Sequence, residues 1–248
     1  MDKKIYYLLA CPLCKGDLIK KSKILYCSSC EKEYEIIFRE NIEIPNLMVN
    51  DHEYLLHENP LDKSSIVNFI GGDNSKSFDI NLEKEKISID LGCGNSPRGV
   101  VNVDCFIPKK IPRNFILANT EYLPFKKNSF DIAISCYNIE HLTNPSQHIL
   151  DVLGIIKEEY IIITDNSEWF GDIFFRLIGS GRIYHKEHCY KWSKEYFENL
   201  LNRLKVINFD VKLKNYSTSK LVRLTKILNF IPKMKYFFNR DLYISIKK

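Results

Sequence analysis

From Lys86 onward the chain alternates short apolar runs with polar loops and helical stretches. The runs are KISIDL (86–91), GVVNVD (99–104), NFILAN (114–119), FDIAIS (130–135) and EYIIITD (159–165). Near-continuous apolar runs of this length suit strands buried on both faces of a parallel sheet. Over 193–204, Ser193 reads as an N-cap, and Phe197, Leu200, Leu201 and Leu204 follow at helical spacing. VINFDVKL (206–213) and DLYISIKK (241–248) predict two more strands. Strands alternating with helices in this way predict a doubly wound α/β fold with a Rossmann-like sheet.

The first fifty residues follow a different rule, being rich in cysteine and short β-like runs. Residues 51–80 are polar, with Pro60 and the pair Gly71-Gly72, and read as a connector. The expected organisation is therefore a small N-terminal domain over 1–50, a connector over 51–80 and a main domain over 81–248. Hydrophobic residues make up 45% of the chain and charged residues 27%, which excludes a disordered chain. No apolar run approaches the roughly 18 to 20 residues of a membrane span. The opening MDKKIYYLLAC has the look of a lipoprotein leader. Its apolar core, residues 5–10, is shorter than the roughly 7 to 15 residues of such a leader. The expected location is the cytoplasm, where cysteines are thiols or metal ligands rather than disulfides.

Charge changes the picture at one end. The net charge is +5, but after Asn202 twelve Lys and Arg stand against only Asp210 and Asp241. Such a tail suits an anionic partner: a phosphorylated substrate, RNA or an acidic membrane surface that the chain meets peripherally. A solvated basic face is the plainer alternative. Within it, Leu221, Leu224, Leu228 and Ile231 share one helical face, flanked by Lys220, Arg223 and Lys226, and Pro232 should interrupt it. A substrate lid, an amphipathic element on a membrane and a phosphate-contacting patch all fit that pattern.

Two C-x-x-C pairs, Cys11–Cys14 and Cys27–Cys30, are separated by twelve residues. Each turn lets two thiolates face one tetrahedral centre, and a hairpin bringing the turns together completes a closed four-cysteine site suited to zinc. The zinc would be structural, because about 50 residues bury too little core to fold securely alone. A redox C-x-x-C would not come as a spaced pair. The segment LLACPLCKGDLIKK…LYCSSCEKEYEIIFRENIEIPNLM resembles the small zinc-ribbon proteins that activate tRNA and translation-factor methyltransferases, and the ribbons fused to the front of other methyltransferases. The resemblance implies a stabilising or substrate-presenting module rather than a catalytic one, and the two parts of the chain are expected to have separate cores.

Four features of the main domain combine. Asp90 ends an apolar run just before Gly92-Cys-Gly94; Asp104 ends the next run; Asn119-Thr-Glu-Tyr-Leu-Pro-Phe125 precedes Asn128-Ser-Phe-Asp131; and Tyr137-Asn-Ile-Glu140-His141-Leu142 follows. A carboxylate in the position of Asp104 is suited to accept from both hydroxyls of a ribose. Together, this string resembles the class I methyltransferases, which use S-adenosylmethionine. That resemblance implies a seven-stranded Rossmann-like sheet. It implies that Asp90 receives the cofactor's ammonium group and that Gly92 and Gly94 line its methionine part. Asp104 would bind the ribose, Asn119 and Thr120 the adenine edge, and Cys136 and Tyr137 would border the cofactor. This sequence departs from the pattern in three places. Ser96 replaces a glycine, Asn119 replaces an aspartate, and residues 95–99 are too few for the usual helix. A subset of the family has the same compaction, with a run like Pro97-Arg-Gly-Val-Val-Asn102-Val-Asp104.

A methyl acceptor with a hydroxyl nucleophile gains from a general base. His141 and His188 are the candidates, with His185 nearby in sequence. Glu140 and His141 also suit plain capping and packing of a helix. Cys93, Cys105, Cys136 and Cys189 are expected as buried small hydrophobes. The stretch Ser135-Cys-Tyr-Asn138 lacks the prolines typical of amino-group methylation of bases and glutamine. The sequence therefore points to a methyltransferase acting on a small molecule or lipid-linked glycan. An RNA methyltransferase and a non-catalytic binding module stand as alternatives.

Overall fold

The computed structural model describes residues 1–49, 80, 85–171, 188–216 and 234–248. Its main sheet has seven strands: β5 (Ser88–Leu91), β6 (Val101–Asp104), β7 (Phe115–Leu117), β8 (Phe130–Cys136), β9 (Ile156–Asp165), β10 (Phe209–Lys214) and β11 (Asp241–Lys247). Their order across the sheet is β7-β6-β5-β8-β9-β11-β10. β5, β6, β7, β8 and β9 are mutually parallel, and β11 runs antiparallel to both β9 and β10. Every residue of β5 and β6 is buried, as strands covered on both faces require.

Two helices of useful length pack on this sheet among the described residues. α2 (Pro145–Ile155) starts at Asn144, whose side chain accepts from Gln147 N, with Pro145 in the first turn. It buries Pro145, His148, Ile149, Val152 and Ile155, a single face at 3.6-residue spacing. α3 (Lys194–Arg203) begins at the expected cap, Ser193, and buries Phe197 and Leu201. At the foot of the sheet, Asp131 ties the start of β8 to the chain on both sides. Its Oδ2 accepts from Ile87 N at 2.8 Å, and its Oδ1 pairs with Lys157 Nζ at 2.8 Å.

The N-terminal residues form a four-stranded antiparallel sheet, β1 (Leu18–Lys21), β2 (Ile24–Cys27), β3 (Glu33–Arg39) and β4 (Ile42–Pro45), preceded by one helical turn, α1 (Lys3–Tyr6). The expectation that this unit has a core of its own is not met. Leu9, Cys11, Leu25, Cys27, Tyr34, Ile36 and Leu47 belong to one apolar cluster with Ile89, Leu91, Val101, Val103 and Phe125. Beyond β4, Asn46 bridges Leu117, and Leu47 N donates to Leu117 O at 2.8 Å. The ribbon thus covers the edge of β7, which would otherwise present unpaired backbone.

Most of the expected connector, the amphipathic stretch around Leu221 to Ile231, and His185 lie outside the described residues. No helix among the described residues is long and apolar enough to cross a membrane.

Candidate active site

The chain lays β5, β6 and β7 outward in one direction and then returns to place β8 on the other side of β5. The order reverses between β5 and β8. Open α/β sheets bind ligands in the crevice outside the carboxyl ends of strands at such a point. Asp90, Asp104 and Cys136 stand at the carboxyl ends of β5, β6 and β8, and Asn119-Thr120 follows β7. All eight residues expected at a cofactor therefore share one edge.

Asp90 is fully buried. Its Oδ2 accepts from Arg98 N at 2.9 Å and faces the Arg98 guanidinium at 3.7 Å. Its Oδ1 has no hydrogen-bond partner among the described residues. Burial pushes the carboxyl up to about 6, against the pull of Arg98. A buried acceptor left unpaired costs about 1–3 kcal/mol, so this edge is set to receive a donor.

Gly92 and Gly94 both have positive φ, +73° and +52°, where glycine carries no steric cost. A Cβ on Gly92 would lie 2.6 Å from the Asn138 side chain, whereas one on Gly94 would meet nothing within 4 Å. Gly94 N donates to Asp104 Oδ2 at 2.7 Å, and Phe106 N donates to Oδ1 at 3.3 Å. Burial raises the Asp104 carboxyl, and those backbone donors oppose it.

The compaction after the glycines has a physical basis. Residues 92–100 contain no helix, and the loop is stapled to its strands. Gly99 N donates to Asn102 Oδ1 at 3.1 Å, Asn102 Nδ2 returns a bond to Gly99 O at 2.9 Å, and Val100 N donates to Ser88 Oγ at 3.1 Å. A Cβ on Gly99 would sit 2.4 Å from Val101 O and 2.7 Å from Asp90 N, so the close approach requires glycine.

On the far side of Asp104, Asn119 Oδ1 accepts from Glu121 N at 2.8 Å in a tight turn. Thr120 is buried, and its Oγ1 accepts from Asn138 Nδ2 at 3.3 Å. Sequence reasoning missed His148, which fixes this turn from below. Its Nδ1 donates to Thr120 O at 2.9 Å, and its Nε2 accepts from Tyr160 Oη at 2.9 Å, the tautomer that the carbonyl partner dictates. Burial pulls the imidazole down to about 4, so it is neutral. Only its place on the apolar face of α2 could have signalled it. Arg98 and Asn138 were inside recognised strings but carried no role there; their side-chain contacts are visible only in three dimensions.

Cys136 is buried, and Tyr137, at φ +52°, donates its hydroxyl to Asp241 Oδ1 at 2.7 Å. Cys93 is buried as expected of a small hydrophobe, but Cys105 is half-buried and Cys189 exposed. Both are wetter than their apolar reading required, because neither lies in the sheet: Cys105 directly follows β6 and Cys189 precedes α3.

The two candidate bases are brought together. His141 lies on a short 3-10 turn, Ile139–His141, and its ring meets the His188 ring edge-on, with centroids 4.6 Å apart at 89°. Glu140 O accepts from Cys189 N at 2.8 Å and Tyr190 N at 3.1 Å, which holds the His188 segment beside this turn. The Glu140 side chain is buried, and burial pushes its carboxyl up to about 8. Its Oε2 accepts from Thr164 Oγ1 at 3.1 Å.

At the ribbon, the four cysteines converge. Cys11 and Cys30 Sγ are 3.6 Å apart, Cys14 and Cys27 Sγ 3.4 Å, and all four sulfurs lie within 4.8 Å of one another. Four thiolates at about 2.3 Å from a tetrahedral zinc stand about 3.8 Å apart, so the donor set fits that ion.

Residues 96–163 match the methyltransferase domain family. No curated protein matches the sequence. The fold is similar to that of an S-adenosylmethionine-dependent methyltransferase from Thermotoga maritima, with a TM-score of 0.51 and 16% identity over 74% of this chain and 92% of that one. A second such enzyme, from Archaeoglobus fulgidus, gives a TM-score of 0.46 and 16% identity over 65% of this chain and 85% of that one. Sequence match and sheet topology agree: residues 96–163 match the methyltransferase domain family, and the sheet has the fold of a class I, S-adenosylmethionine-dependent methyltransferase.

Proposed function

We propose that the protein transfers a methyl group from S-adenosylmethionine to a small molecule or a lipid-linked glycan. One observation carries the cofactor assignment. The buried, unpartnered Oδ1 of Asp90 stands at the strand end that leads into Gly92 and Gly94, with open space above Gly94. Asp90 would take the ammonium group, Asp104 the ribose hydroxyls, and Asn119 and Thr120 the adenine edge, while Cys136 and Tyr137 border the site. When bound, the cofactor supplies an electrophilic methyl group on a sulfonium. The chain's own task is then alignment of the acceptor, largely a proximity effect.

His141 lies three residues beyond the Asn138 that packs on Gly92, and the His188 ring stands against it. They are suited to hold or deprotonate an acceptor hydroxyl. The stretch Ser135-Cys-Tyr-Asn138 lacks the prolines typical of amino-group methylation, which supports an acceptor other than a nucleobase amine. The basic excess after Asn202 supports an anionic acceptor in the cytoplasm or at an acidic membrane surface. Cys11, Cys14, Cys27 and Cys30 hold a structural zinc in this reading.

The test has two stages. Calorimetric titration with S-adenosylhomocysteine checks the cofactor site, and absence of binding overturns the whole assignment. Methyl-labelled cofactor is then incubated with lipid, glycan, small-molecule and RNA fractions. Label in RNA alone replaces the acceptor class with the RNA alternative.

A further inference from the structure

We propose that Glu140, His141 and His188 form a second metal site, distinct from the cysteine quartet, that binds one divalent transition-metal cation and leaves coordination positions open to oxygen atoms of the methyl acceptor. One ligand atom from each residue lies within 4.8 Å of the others. Carboxylate and imidazole bonds to zinc-like ions run about 2.0–2.2 Å, so two donors on opposite sides of one ion stand about 4.4 Å apart. Separations bounded by 4.8 Å are near that span, so a modest side-chain adjustment would bring the three groups onto a single ion.

The second observation is independent of that spacing. Glu140 is only 2% exposed, and its Oε1 has no hydrogen-bond partner among the described residues, although Oε2 is held by Thr164. A buried carboxylate oxygen without a partner is costly, and buried charges are paired or coordinate metals. The backbone around the site is built to hold it. Cys189 N and Tyr190 N both donate to Glu140 O, and Cys189 Sγ contacts His141 O at 3.5 Å. Residues 140–141 and 188–190, far apart in sequence, are thereby clamped together, with the two imidazole rings in edge-on contact.

The donor chemistry selects the ion class. Two imidazoles and one carboxylate suit zinc, iron(II), cobalt(II) and manganese(II), and three protein ligands leave at least one position for water or substrate. A cation there lowers the proton affinity of a coordinated oxygen, so with the ion bound the two imidazoles serve as ligands in place of the free-base role given above. Its service to the acceptor rests on the methyltransferase reading above; its binding to the protein does not.

Cobalt(II) is the probe, titrated into metal-stripped full-length protein at low temperature, where the first equivalent reloads the ribbon and restores the fold before the second is read. Thiolate coordination at the ribbon gives intense charge-transfer bands, and a nitrogen and oxygen site gives only weak visible bands. The expected result is about one equivalent of each kind. His188→Ala should weaken the second equivalent by more than roughly tenfold, the loss that even an outer partner of a metal ligand costs, and leave the thiolate bands unchanged. Glu140→Gln should do the same; should it fail to fold, His188→Ala decides. Saturation at the thiolate equivalent alone, or a His188→Ala protein that binds the second equivalent as well as wild type, overturns the site. Protein that takes the second ion yet binds no S-adenosylhomocysteine keeps the metal site and discards the methyltransferase reading.

Discussion

Asp104 Oδ2 accepts the Gly94 N–H at 2.7 Å, so the carboxylate assigned to the ribose also fixes the glycine turn assigned to the methionine part. One substitution should therefore disturb both ends of the cofactor site. Asp104→Ala removes the charged acceptor and the clamp together and should weaken S-adenosylhomocysteine binding by about 1.5–3 kcal/mol. Asp104→Asn, which keeps one oxygen acceptor, should lose less. Calorimetry on both variants measures the difference, and an unchanged affinity in Asp104→Ala removes the ribose assignment.

Asp90 makes cofactor affinity depend on pH in a definite direction. Its carboxyl is pushed up to about 6 by burial, and only the ionised form pairs with an ammonium group. A bound cation favours ionisation, so protons compete with the ligand. Affinity should be level from pH 8 to 7 and fall as pH drops through about 6. Asp90→Asn should bind weakly with a flatter profile over that range. Titrations across the range settle the point; a wild-type affinity that does not fall between pH 7 and 5 is incompatible with an ammonium at Asp90.

The parallel core was legible in the sequence because its strands are buried on both faces and leave unbroken apolar runs such as Ile161-Ile-Ile163. The edge positions of Asp90, Asp104 and Tyr137 were legible for the same reason, since the ends of those runs mark the ends of strands. The union of ribbon and sheet was not legible. It rests on backbone pairing between Leu47 and Leu117 and on packing between residues some eighty positions apart, neither of which leaves a local pattern. His148 was hidden similarly, because a histidine on the apolar side of a helix looks the same whether or not it meets a carbonyl and a phenol.

Gly99 should tolerate no side chain. Its virtual Cβ meets two backbone atoms, Val101 O and Asp90 N, rather than a flexible side chain that could swing away. Gly99→Ala should cost about 1–3 kcal/mol by forcing the loop off its strand, and it should weaken cofactor binding by shifting Asp90. Gly154 offers a control in α2, where nothing lies within 4 Å of a Cβ. Gly154→Ala should instead stabilise by up to about 1 kcal/mol through helix propensity. Urea denaturation of the two variants gives opposite signs if the loop is as tight as described, and a neutral Gly99→Ala contradicts it.

Ribbon metal should support the whole protein and the cofactor site, and not the ribbon alone. Leu9, Leu25, Ile36 and Leu47 share a core with Ile89, Val101 and Phe125, so melting the ribbon exposes the face of the main sheet that it covers. Removing a structural zinc forfeits roughly 10 kcal/mol or more of apparent binding free energy, comparable to the whole usual margin of stability of about 5–15 kcal/mol. Chelation, or Cys27→Ser, should therefore lower a single cooperative melting transition in calorimetry; two separate transitions would restore independent cores. The route to the active site is short. Ala10 N donates to Pro124 O at 2.9 Å, and Lys15 Nζ donates to Leu123 O at 2.8 Å. Those carbonyls belong to the segment that follows directly from Asn119 and Thr120. Loss of the ribbon metal should thus weaken S-adenosylhomocysteine binding even at a temperature where the sheet still holds. A stripped protein that retains full affinity would confine the ribbon to a role away from the cofactor.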